Sequence, residues 1–134
     1  DLAQRGAELA GGAPGRALSL ARSDAPKLKA TIDGVLNTLP RLDSKAVGAL
    51  AAESGKNGGE EIKRTLLEFL ERYAQDRARA AAVAGQQSEA AGLWVRAADS
   101  LARLARESET LYLDPKQTVH AAFTILREAA QATQ

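Results

Sequence analysis

The chain has 134 residues, 45% of them hydrophobic and 26% charged, which is enough for one hydrophobic core and too little for two full-sized domains. Its 18 Lys and Arg are offset by 17 Asp and Glu, and a formal net charge of +1 excludes a strong field for nucleic acid or anionic lipid. Without cysteine there is no disulfide framework and no thiolate metal site, and no apolar run approaches the roughly 20 residues of a membrane span. About a fifth of the residues are alanine and only 4% are aromatic, a composition suited to helices packed closely on one another. The chain opens on Asp1 with no signal-peptide layout and contains no methionine, so it reads as a piece of a longer product.

Apolar residues recur three and four apart in nearly every segment, and nowhere do β-branched residues alternate with polar ones, so an all-α bundle is predicted. A first helix over residues 1–10 stops at Gly11 and Gly12, and Pro14 suits the first turn of a second, short one. A third follows Asp24 and Pro26, carries Leu28, Ile32, Val35, Leu36 and Leu39 on one face, and ends at Pro40. Asp43 or Ser44 caps a short fourth helix, and the run GKNGG at 55–59 is the clearest loop.

A long helix over about residues 60–84 places Ile62, Leu66, Phe69, Leu70 and Tyr73 on one side. Glu60 with Arg64 and Glu68 with Arg72 are spaced as i, i+4 pairs on its charged side. After GQQS, Ser88 caps a helix bearing Trp94, Ala98, Leu101 and Ala105, with Ala97 and Leu104 beside them. The last helix has the sharpest start, with Asp114 as N-cap, Pro115 at the first position and Gln117 completing a capping box. Val119, Ala122, Phe123, Leu126 and Ala130 form its buried stripe.

Catalytic chemistry needs a nucleophile with a base, a metal site, or carboxylates of divergent pKa, and none is visible. His120, the one histidine, has Lys116, Gln117, Phe123 and Thr124 as helical neighbours and no carboxylate to orient it, so it reads as a surface or boundary residue. The run KRTLLEFLERYAQDRAR interleaves acids with bases and reads as a solvated helix face, not a nucleic-acid strip. Trp94 among alanines and leucines reads as a core anchor, and the same stripe also fits a subunit contact. The stretch GGAPGRALSLA lacks the preceding strand and the Gly-Lys-Ser or Gly-Lys-Thr of a phosphate loop, so on physical grounds it is a helix stop followed by a helix start.

Those residues also carry a family resemblance. LAGGAPGRALSLA is similar to the segment of bacterial DNA polymerase III clamp-loader subunits, the gamma/tau and delta′ proteins, where the helical lid of the ATPase-like region passes into its sensor-2 helix. Gly12, Ala13, Pro14, Gly15, Ala17 and Leu18 fit that pattern. LPRLDSKAVGALAA, LLEFLERYAQDRARAAA and ARESETLYLDPKQTVHAAFTILREAA resemble the C-terminal collar of the delta′ branch. In the ATP-hydrolysing members an arginine that senses the γ-phosphate stands where this chain has Gly15. Arg16 is displaced from that position by one helical residue, about 100° of rotation.

The resemblance implies a lid remnant over residues 1–23, including the degenerate sensor position at Gly15 and Arg16, and a collar of about five helices over 24–134. It implies no catalysis and no bound cofactor in this piece, within a cytoplasmic bacterial assembly that serves a DNA-directed DNA polymerase. Its partners would be delta and gamma/tau subunits through the collar, with the sliding clamp and primed DNA reached only through the whole complex. Trp94, Leu101 and Phe123 are the candidate subunit contact. Two rivals remain open: a gamma/tau ATPase, which an upstream phosphate loop would favour, and an unrelated alanine-rich helical adaptor.

Overall fold

Helix is the only regular structure among residues 25–84 and 88–133, which are those the computed structural model describes. The chain divides into two compact units, residues 1–37 and 38–134. The two helices expected at the N-terminus, Gly15, Arg16 and the boundary expected after residue 23 lie outside the described residues. The first unit contributes α1 (Ala25–Asn37), in which Ile32, Val35 and Leu36 are buried as their 3, 4 spacing requires. The second contributes α2 (Ser44–Ser54), α3 (Glu60–Val83), α4 (Ser88–Thr110) and α5 (Pro115–Ala132).

Local chemistry sets the starts of α2 and α5. The Asp43 carboxylate accepts a hydrogen bond from the Ala46 N–H at 3.1 Å, satisfying one of the donors that a helix start leaves open. Asp114 does the same for α5, accepting from the Lys116 N–H at 3.0 Å, with Pro115 at the first position. The bond reaches the second helical residue instead of the third, and Gln117 forms no return bond, so the expected capping box is reduced to a simple cap. Between α2 and α3, Gly58 takes φ +79° and Gly59 presses against the end of α2. A Cβ on Gly59 would sit closer to the carbonyl oxygens of Glu53 and Ser54 than real Cβ atoms approach.

In the second unit α3 and α4 make the most extensive contact, and α5 packs on α2, α4 and α3. Arg64 near the start of α3 meets Glu109 at the end of α4, while Tyr73 meets Trp94 further along, so the two long helices run antiparallel. Leu66, Leu67, Leu70, Ala74, Ala78 and Ala81 supply the buried face of α3, and Trp94, Ala97, Ala98 and Leu101 that of α4. Alanine at 74, 78, 81, 97 and 98 lets the backbones approach closely along much of this seam. Val119, Ala122, Phe123, Leu126 and Ala130 of α5 are all buried, as their spacing predicts, together with Ala129.

The predicted face of α3 holds at Leu66 and Leu70, which are fully buried, and shifts at its other positions. Ile62, Phe69 and Tyr73 are only half-buried, while Lys63, Leu67, Ala74, Ala78 and Ala81 are buried. Large apolar side chains dominate a reading by hydrophobicity, whereas close packing selects the small ones.

Candidate functional site

Trp94 is the largest fully buried side chain of the described residues, and it is held from α3 on two sides. Tyr73 meets it edge to face, with ring centres 5.9 Å apart and planes at 79°, and the Arg77 guanidinium carbon lies 5.4 Å from the indole centre. An edge-to-face pair adds about 0.5–1.5 kcal/mol beyond area burial, and an exposed cation over a ring about 0.5–1 kcal/mol. Leu101 and Phe123 are fully buried as well. The three residues expected to meet another subunit therefore hold this chain's own helices together, and in this conformation none offers surface to a partner. The alanine-rich neighbourhood explains the outcome, since an indole beside small side chains fills the space between helices that those side chains leave.

A charged seam borders the same pair of helices. The Arg64 Nε–H donates to Glu109 Oε1 at 2.6 Å across the helices, and an Nη1–H donates to Glu61 Oε1 at 3.0 Å within α3. The hydrogen bond from Arg64, reinforced by its charge, holds the Glu109 carboxyl below the ordinary range, and the same bond raises Arg64 further. Glu60 pairs with Lys63 at 3.0 Å, so the expected Glu60–Arg64 pair gives way to i, i+3 pairs and one bridge between helices. Lys63 is 1% exposed, and its pairing with Glu60 keeps the buried ammonium compensated. A depression of about 180 Å³ opens here, lined by Lys63, Arg64, Glu68, Glu71, Arg106 and Glu109 among others. Its mixed charges make it a seam of ion pairs.

His120 is exposed on α5, as its neighbours predicted. The basic and acidic side chains from Lys63 to Arg79 are largely solvated, in keeping with a charged outer face, and Lys63 is the exception. Among the described residues no group of three or more His, Cys, Asp or Glu is placed to hold a metal ion, and no helix is long and apolar enough to cross a membrane.

What the residue pattern did not single out is an exposed apolar turn after α4. Leu111 is 61% and Tyr112 91% exposed. Tyr112 has φ +50°, and the Leu113 N–H donates to the Ser108 carbonyl at 3.2 Å, the long bond of a Schellman ending. Tyrosine thus occupies the left-handed position that glycine commonly fills, and the run LYL before Asp114 was the available signal.

Comparison with known proteins adds no relative: no family model, no curated protein and no solved structure matches the chain.

Proposed function

We propose that this chain is an assembly module of the bacterial clamp-loader type, with a delta′-like collar that joins the collars of delta and gamma/tau subunits and performs no chemistry of its own. The observation that carries the reading is the segment ETLYLDPKQTVHAAFTILREAA. Its residues resemble the delta′ collar, and they form a capped helix whose apolar stripe is seated on three other helices. A bundle with an alanine-rich seam and a buried apolar core supports a rigid, protein-binding role, because its shape survives when a partner is added. The sliding clamp and primed DNA would be met only by the complete loader, and Gly15 in the sensor position is the residue that favours a subunit without ATP turnover.

The test is to mix the chain with the collar of a gamma/tau subunit and follow the mass by light scattering. A stoichiometric complex is the expected result. No association at concentrations up to about tens of micromolar, some 6 kcal/mol of binding free energy, overturns the reading.

A further inference from the structure

Arg127 is the one described arginine that is not exposed. Its Nε–H is closed off from solvent with no hydrogen-bond partner, and no described carboxylate pairs with it. A guanidinium cannot shed its proton, so its enclosed Nε–H carries a desolvation cost that no partner among the described residues offsets. The side chain lines a pocket of about 270 Å³ between the start of α2 and the middle of α5, together with Leu42, Ser44, Val47, His120 and Thr124. No acidic side chain lines this pocket. Asp43, next to it in sequence, is engaged as the cap of α2. The Thr124 hydroxyl donates to the His120 carbonyl, which leaves the Ser44 hydroxyl and the His120 ring as further polar groups of the lining.

We propose that this pocket binds a carboxylate carried on a short aliphatic stem, with Arg127 as its counter-ion. The planar guanidinium matches a carboxylate in two parallel hydrogen bonds. Leu42 and Val47 give the lining an apolar part against which methylene groups pack, which a bare inorganic anion cannot use. At roughly 30 Å³ per water the pocket has room for several water volumes, enough for a three-carbon acid. The carboxylate comes either from a glutamate side chain of a partner protein or from a free small acid. Binding here does not depend on the collar reading and stands whether or not the chain joins a clamp loader.

The experiment titrates the chain with propionate, with N-acetylglutamate amide and with inorganic phosphate, reading amide resonances of α2 and α5 and the ring resonances of His120, which is the one histidine present. Saturable shifts with propionate are expected, with Kd on the order of millimolar for a single charge-assisted contact, and weaker by at least about tenfold in Arg127→Gln. Arg127→Lys retains part of the binding, and Arg72→Gln, at an exposed site, leaves it unchanged. The circular dichroism of each variant checks that the helices persist. Equal or tighter binding of the capped glutamate assigns the source to a protein side chain, and its exclusion assigns it to a small acid. Absence of saturation with both carboxylates identifies a merely hydrated arginine, and tighter binding of phosphate than of propionate removes the stem from the account. Either result overturns the proposal.

Discussion

Gly59 and Gly92 show how opposite the same substitution is at two positions. At Gly59 a methyl group would meet the carbonyls of Glu53 and Ser54, backbone atoms that cannot swing aside, whereas at Gly92 in α4 it would meet nothing within 4 Å. Gly59→Ala is expected to destabilise by about 1–3 kcal/mol through overpacking. Gly92→Ala is expected to stabilise by about 0.5–1 kcal/mol, because alanine gives up less freedom than glycine on entering a helix. Urea midpoints at constant slope measure both, and shifts of the same sign in the two variants would contradict the packing described. The buried Lys63 obeys the same logic of neighbours: its identity says surface, and its pairing with Glu60 allows the interior.

Among the elements, α3 and α4 are joined by packing along their length and by the Arg64–Glu109 bridge near one end. Because the Glu109 carboxyl titrates lower in the fold than in the unfolded chain, its contribution is complete above the ordinary glutamate range. It is lost as the pH falls from that range through the lowered folded value. Glu109→Gln is therefore expected to lower the urea midpoint slightly at neutral pH, with the difference from the parent closing as the pH falls through the lowered folded value. Both partners are about half exposed, at 44% and 50%, so the effect is small and shrinks in high salt. A difference that persists undiminished in acid would refute this origin.

The elements also show what residues alone disclose. The start of α5 and its stripe were readable from Asp114, Pro115 and the 3, 4 spacing of Val119, Phe123 and Leu126, because capping and periodicity are local. The face of α3 was readable only at Leu66 and Leu70, since three of its buried positions are alanines whose weak hydrophobicity competes with Ile62, Phe69 and Tyr73. Only the approach of a second helix decides between them. For the same reason the residues alone point to Trp94 as an anchor, and only the pairing of the helices shows that Tyr73 and Arg77 hold it. Nothing in the sequence singles out Arg127, as a guanidinium on an amphipathic helix is expected in water until α2 is seen beside it.

For the molecule as a whole, near-neutral charge means that partners are chosen by shape more than by field. If collars associate, raising the salt from physiological levels severalfold should weaken binding only modestly, and a steep loss would point instead to a charged interface. The sole tryptophan allows such an encounter to be followed from inside. Because Trp94 is clasped between α3 and α4, a ligand that settles on the outside leaves its emission unchanged, while one that prises the two helices apart wets the indole and reddens its light. The protein thus carries a built-in gauge that distinguishes being touched from being opened.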